Sequence, residues 1–196
     1  MIYRLRDILF ATILVAVLSW LILLIIFVLT ITQKRVFFFQ QRSGFQMRKF
    51  RLIKFSTLRD AAPGVPEEAD QKSRLTISGR ILRRFSFDEI PQLFNVLGGS
   101  MSLVGPRPLI TDYDDLYSES DKVRFQVKPG ITGWAQIHGR NSIGWKERFE
   151  LDRWYVANRS MILDFKILLK TIWIALSGKG VFSDDRNTSP KYDGGN

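Results

Sequence analysis

An adjacent carboxylate pair, Asp88-Glu89, follows two arginines, Arg83-Arg84, and precedes the apolar run Ile90-Pro91-Gln92-Leu93-Phe94. Ser86 and Glu89 stand three apart, the spacing of a capping box in which a hydroxyl and a carboxylate satisfy the first N–H groups of a helix. Pro91 lacks an N–H and is tolerated only in a first turn, so the spacing predicts a helix that begins between Ser86 and Asp88. Backbone N–H groups and the positive helix end converge at such a start, a place suited to anions and phosphates. Acidic residues in a first turn are also ordinary helix-start chemistry, and these residues alone favour that reading over catalysis. The surrounding chain shifts the balance. Gly105-Pro106-Arg107-Pro108 is a rigid turn that presents one guanidinium, its backbone fixed by flanking prolines at low entropic cost.

Composition narrows the chemistry further. The 196 residues contain no cysteine and one histidine. Disulfide frameworks and thiolate metal sites are thereby excluded, and zinc centres and Ser-His-Asp catalysis are disfavoured. The net charge of +10 comes from 29 basic and 19 acidic residues. Residues 1–60 hold ten Lys/Arg against only Asp7 and Asp60, which places +8 of that charge near the N-terminus. A basic block of this kind binds nucleic acid or anionic lipid, and its neighbour decides which.

That neighbour is residues 8–32, 25 residues without a charge. As a helix the run reaches roughly 37 Å, enough for a hydrocarbon core about 30 Å thick. It is too long for a signal-peptide core and reads as a retained membrane-embedded helix. Arg4 and Arg6 flank one end; Lys34, Arg35 and Arg42 flank the other. Such cations prefer the cytoplasmic side, so charge counting leans toward a helix that re-enters rather than crosses.

The elements that must position the carboxylates follow in order. Residues 36–41 are rich in strand formers and close in a turn at Arg42-Ser43-Gly44, and residues 50–58 read as a second strand, so a hairpin is expected. Residues 60–73 read as a loop and 74–85 as a helix. The helix after Asp88 should stop at Gly98-Gly99. Residues 112–121 read as an acidic, solvated helix, 128–141 as glycines around a short strand, and 146–158 as a helix. Residues 161–176 form a second strongly apolar helix, either interfacial or core. Trp134, Trp145, Trp154 and Trp173 read as core or interface anchors, and His138 as structural. The expected fold is α+β: mostly helical, with a small N-terminal β-hairpin, an N-terminal membrane-embedded re-entrant helix and interfacial amphipathic helices. Its division is 1–35 membrane helix, 36–182 cytoplasmic catalytic domain and 183–196 disordered tail.

Five stretches occur together in one order: Lys54-Phe55-Ser56-Thr57-Leu58, Phe87-Asp88-Glu89-Ile90-Pro91-Gln92-Leu93, Met101-Ser102-Leu103-Val104-Gly105-Pro106-Arg107-Pro108, Lys128-Pro129-Gly130-Ile131-Thr132-Gly133 and Gly139-Arg140-Asn141-Ser142-Ile143. In this the chain resembles the bacterial sugar transferases, the monotopic phosphoglycosyl transferases, over residues 4–181. The resemblance implies transfer of a phosphosugar from a UDP-sugar to a polyprenyl phosphate such as undecaprenyl phosphate, with release of UMP, at the cytoplasmic face of a bacterial inner membrane. It implies a covalent phosphosugar intermediate on the Asp of the dyad, assistance by Mg2+, and a re-entrant membrane helix. Carried onto this chain, Asp88 is the nucleophile and lies near the metal. Glu89 positions Asp88 or the metal, or manages the proton state of the acceptor phosphate. A carboxylate nucleophile splits a difficult transfer into two easier ones. Arginine forks suit phosphate oxygens, so Arg83, Arg107 and Arg140 are candidate substrate-binding residues, with Lys54 a further cation. The chain departs from the family pattern at three places: Ser19 is followed by Trp20 rather than Pro, Ser56 replaces a basic residue, and His138 stands where Asn is common.

Two other functions fit parts of the sequence. The lipid phosphate could attack directly, with Asp88 only a metal ligand. A membrane-tethered polyanion binder would use the basic N-terminal segment, yet it gives no reason for Asp88-Glu89 or Pro106-Arg107-Pro108. The expected partners are therefore a UDP-sugar, a polyprenyl phosphate and membrane lipids, with no nucleic acid; apolar surface helices leave a homodimer open.

Overall fold

The computed structural model describes residues 1–33, 35–60, 71–139, 143–177 and 192–194. The first element, α1 (Ile2–Thr32), is a single unbroken helix. At Ser19 the hydroxyl donates back to the Ala16 carbonyl at 2.8 Å, and the helix continues through Trp20. One stripe of α1 faces the rest of the protein. Ala11, Ile25 and Leu29 are buried, with Val15, Leu18 and Ile22 partly buried between them, at the three-and-four spacing of a packed helix face. The opposite face exposes Leu9, Ile13, Val17, Trp20, Leu24, Phe27 and Ile31. Its apolar length satisfies the requirement for a membrane span.

Strand β1 (Phe37–Ser43) pairs antiparallel with β2 (Lys49–Phe55), in a register that sets Phe37 opposite Phe55 and Ser43 opposite Lys49. The expected hairpin is therefore present. Its turn starts two residues later than the sequence suggests, since β1 runs on through Ser43, whose N–H pairs with the Leu109 carbonyl. A short helix α2 (Gln71–Arg74) leads to α3 (Ile77–Arg84), capped by the Thr76 hydroxyl, which accepts from Gly79 N–H at 2.9 Å. A side chain at Gly79 would place its Cβ 2.1 Å from the Thr57 carbonyl oxygen, so only glycine lets α3 approach the chain leaving β2 this closely.

Helix α4 (Gln92–Leu97) ends at Gly98, with Gly99 in the left-handed region (φ 86°), the stop that the glycine pair predicts. Strand β3 (Ser102–Val104) then pairs in parallel with β4 (Gly130–Thr132). Between them, residues 111–116 form a 3-10 turn within the stretch 112–121 expected as a solvated helix, and a second 3-10 turn follows at 121–126. Asp114 accepts from the Ser43 hydroxyl and Asp121 pairs with Arg153 at 2.6 Å, which pins the segment at two points, while Asp112, Asp115 and Glu119 are exposed, as a solvated face requires. Three helices complete the fold: α5 (Trp134–His138), α6 (Trp145–Asn158) and α7 (Met161–Ser177).

The main core joins Ala11 of α1 with Leu52, Leu93, Val96, Met101, Val104, Tyr155 and Ile167. A second cluster packs Ile25 and Leu29 of α1 on Phe55 and Leu82. Helix α7 is both core and surface: Asp164 and Ile167 are fully buried, while Ile162, Phe165, Leu169, Ile172 and Trp173 are exposed. A third cluster is aromatic, with Tyr113, Tyr117, Phe125, Trp145 and Phe149 around Tyr192. Of residues 183–196, only 192–194 are described, and there the Tyr192 hydroxyl donates to the Leu116 carbonyl at 3.1 Å.

The N-terminal charges do more than flank the apolar helix. Arg6 forms a buried ion-pair network with Asp7 and Asp164; Asp7 accepts from the Ser102 hydroxyl at 2.7 Å, and Asp164 from the Tyr155 hydroxyl at 2.7 Å. Arg4 donates to the Val96 and Leu97 carbonyls, capping the C-terminus of α4. At the other end of α1, Gln33 Nε2 donates to the hydroxyls of Thr76 and Ser78, each at 3.2 Å.

Candidate active site

Asp88 and Glu89 lie in a 3-10 turn, Phe87–Glu89, entered through Ser86 in the left-handed region at φ 57°. This corrects the expected capping box: the Ser86 side chain caps nothing in the turn, and α4 begins only at Gln92, after Pro91. The cause is that Glu89 is drawn elsewhere. Its carboxylate accepts from Lys54 Nζ at 2.7 Å and from Arg107 Nη2 at 2.7 Å, with Arg107 Nη1 at 3.5 Å from the second oxygen. The turn's own N–H groups are also taken, since Glu89 N–H pairs with the Ser86 carbonyl and Ile90 N–H with that of Phe87. Positive potential at the dyad thus comes from side chains rather than from a helix end.

Four of the residues singled out in the sequence converge here. Lys54 is delivered by β2, Asp88 and Glu89 by the 3-10 turn, and Arg107 by the proline-flanked turn after β3. Lys54 Nζ stands 3.9 Å from Asp88 Oδ2, beyond hydrogen-bond reach. Arg83, near the end of α3, donates from Nε to the Thr57 hydroxyl at 3.0 Å and interacts electrostatically with Asp88. Arg140 lies outside the described residues. The Asp88 side chain is 13% exposed and that of Arg107 44%, so the rim is open to solvent while Asp88 sits just inside it.

The two carboxyls occupy different electrostatic states. Burial pushes Asp88 above its ordinary value; Lys54 opposes that rise, Glu89 adds to it, and Arg83 and Arg107 oppose it. Burial acts on Glu89 in the same direction, but Arg107 and Lys54 together outweigh it and hold that carboxyl well below the usual carboxylate range. Glu89 is thus an anion bound to two cations, and Asp88 is a desolvated carboxyl with no close cation bond among the described residues. Divergent environments of this kind give neighbouring acids separate roles.

A metal would find few protein ligands here: among the described residues no group of three or more His, Cys, Asp or Glu comes together. A hard dication that keeps waters and substrate phosphates needs only one or two carboxylates. Asp88 fits that demand, since a positive charge beside it would offset its desolvation.

Sequence reasoning missed Arg42, Arg124 and Asp152, which pack behind Arg107. Arg42 Nη1 donates to the Pro108 carbonyl at 3.3 Å, and Arg124 Nη2 to the Arg107 carbonyl at 2.6 Å. Burial, and then the charge of Arg107, lower Arg42 to about 10. No local signal marks these residues, because Arg124 and its partner Asp152 are 28 apart in the chain.

A long apolar helix, a small mixed fold and a carboxylate dyad ringed by fixed cations define a membrane-associated enzyme with a site for an anionic substrate. Comparison with known proteins gives that class its family. The model of the bacterial sugar transferase family matches residues 1–178, and the chain belongs to that family. It is 48% identical over 159 residues to the uncharacterized sugar transferase EpsL of Bacillus subtilis, covering 81% of this chain and 79% of EpsL. It is 34% identical over 194 residues to the exopolysaccharide production protein ExoY of Rhizobium meliloti, covering 90% and 86%. A UDP-glucose:undecaprenyl-phosphate glucose-1-phosphate transferase of Caulobacter vibrioides is 38% identical over 182 residues, covering 86% of this chain and 67% of the relative.

Proposed function

We propose that the protein transfers a phosphosugar from a UDP-sugar to a polyprenyl phosphate such as undecaprenyl phosphate in two displacements on phosphorus. An Asp88 carboxylate oxygen attacks the phosphorus that bears the sugar; an Asp88–phosphorus bond forms, and the bond to the departing UMP breaks. An oxygen of the lipid phosphate then attacks the same phosphorus, forming the lipid diphosphate sugar and returning Asp88 as a carboxylate. Electron pairs balance in each step, and no oxidant or reductant is required.

The observation that carries this reading is the split dyad. Glu89 is consumed by Lys54 and Arg107, which leaves Asp88 as the carboxylate whose oxygen is available and only partly solvated. Partial desolvation strengthens a nucleophile that is ionised. Arg107, Lys54 and Arg83 surround the turn with charge suited to a diphosphate, and Arg107 offers the planar fork that phosphate oxygens accept. Mg2+, when bound beside Asp88, would neutralise diphosphate charge and polarise the phosphorus–oxygen bonds. Glu89 holds Lys54 and Arg107 at fixed distances before substrate arrives, so little reorganisation is needed at reaction.

Placement at the membrane supports a lipid acceptor. The outer face of α1 is apolar along its length, and Arg4 and Gln33, near its two ends, both bond to the same domain. That geometry supports both ends of α1 lying on one side of the bilayer, and the flanking Arg4, Arg6, Lys34 and Arg35 support that side being the cytoplasmic one.

The test is release of UMP from a panel of UDP-sugars, with and without undecaprenyl phosphate, by the full-length protein in detergent. One or more sugars should give lipid-dependent turnover, and Asp88→Asn should lose about 10³-fold or more of it. Full activity in Asp88→Asn would remove the nucleophile.

A further inference from the structure

The turn that aims Arg107 is braced from behind. Arg124 lies in the 3-10 segment Asp121–Gln126, and its side chain is 2% exposed. Its Nη2 donates to both the Arg107 carbonyl (2.6 Å) and Asp152 Oδ2 (2.9 Å), while Nε donates to the same carboxylate oxygen at 3.2 Å. Asp152, on α6, is 1% exposed. The guanidinium also lies over the rings of Phe149 and Phe125, at 5.4 and 5.6 Å from their centroids. Desolvating two full charges costs several kcal/mol per ion, so a buried pair is a poor means of stabilisation alone. Here the pair delivers one N–H to one main-chain oxygen, and that oxygen belongs to the residue that bonds Glu89. Nη2 reaches the carboxylate and the carbonyl while Nε holds the same carboxylate, a two-nitrogen anchor that a single ammonium cannot reproduce.

We propose that Arg124, held by Asp152, is a positioning residue: it fixes the backbone of Arg107 and so sets the direction in which the Arg107 guanidinium meets Glu89 and the substrate diphosphate. This rests on the transfer reaction proposed above. Arg42, donating to the next carbonyl, braces the other side of the same turn.

A double-mutant cycle on the full-length protein in detergent separates positioning from support of the fold. Arg124→Lys should lower kcat/KM for the UDP-sugar on the order of 10²-fold, the cost of misplacing a substrate-orienting group. In an Arg107→Met background the same change should cost less than about threefold, because the group it positions is gone. Equal losses in both backgrounds overturn the proposal. Should Arg124→Lys fail to fold, as judged by thermal unfolding, Asp152→Asn replaces it in the same cycle with the same expectation. A second arm needs no turnover: the order parameter of the Arg107 backbone N–H, from 15N relaxation, should fall from about 0.85 to about 0.6 in the variant. An unchanged value, or a fall spread over the whole chain, overturns the proposal. A wild-type protein inert toward every UDP-sugar would instead remove the transfer reaction, and the relaxation arm would still decide whether Arg124 positions Arg107.

Discussion

At the scale of single residues, Asp88 and Glu89 show how adjacent acids with the same chemistry acquire different states. Burial disfavours charge on both, but among the described residues Glu89 has two cations at 2.7 Å and Asp88 has none closer than 3.9 Å. The raised Asp88 value has consequences for stability as well as reactivity. A carboxyl whose folded-state value lies above its unfolded value contributes stability only below the unfolded value, and that contribution is lost as pH rises through the folded value. Ionised Asp88 therefore destabilises the fold at neutral pH. Asp88→Asn should raise the thermal midpoint at pH 7, and the gain should vanish below about pH 3.8, the ordinary aspartate value, where both proteins are neutral at that position. Thermal unfolding of the two proteins across pH checks this, and a lower midpoint at pH 7 would contradict it. Asp88, Glu89 and Arg107 were legible in the sequence because each sits in a short motif with a local reason for its residue types. The cap at Ser86 was misread because a capping box is a local pattern, whereas Lys54 and Arg107, distant in the chain, compete for the same carboxylate.

At the scale of elements, what holds α1 to the domain is partly ionic. Asp164 is fully buried and shared by Arg6 and Tyr155, so among the described residues Asp164→Ala leaves the buried guanidinium with Asp7 as its one carboxylate and the hydroxyl with the Val104 carbonyl at 3.3 Å. The expected destabilisation is about 3–5 kcal/mol, read by denaturant unfolding in detergent micelles. A loss within about 0.5 kcal/mol, the range of an ordinary surface change, would show that the network is not structural. The sequence revealed α1, the hairpin, and the helices α6 and α7 because apolar length, strand formers and periodicity are local signals. It did not reveal that Arg4 caps α4 or that Arg6 is buried, since a cation beside a membrane helix reads as a flanking charge. It found the solvated face of residues 112–121 but not their break into 3-10 turns, because acidic side chains in a polar stretch give no sign of distant partners such as Arg153.

At the scale of the whole molecule, α1 and α7 each expose an apolar face, and these accompany a site that would take a water-soluble nucleotide sugar and a lipid phosphate. With Arg4 and Gln33 tied to the same domain, a cysteine placed at Ile2 should be labelled only from the cytoplasmic side. The absence of native cysteine makes that labelling unambiguous. Labelling of intact cells by an impermeant reagent would contradict it. The central chemical claim is that the Asp88 oxygen becomes bonded to phosphorus. The most direct measurement is mass spectrometry of the protein after rapid mixing with a UDP-sugar that supports turnover, without lipid acceptor. The expected result is a phosphosugar adduct on the peptide containing Asp88, lost on addition of undecaprenyl phosphate and absent in Asp88→Asn. Full turnover with lipid present, yet no adduct at any time in its absence, would contradict the covalent route and leave direct attack by the lipid phosphate.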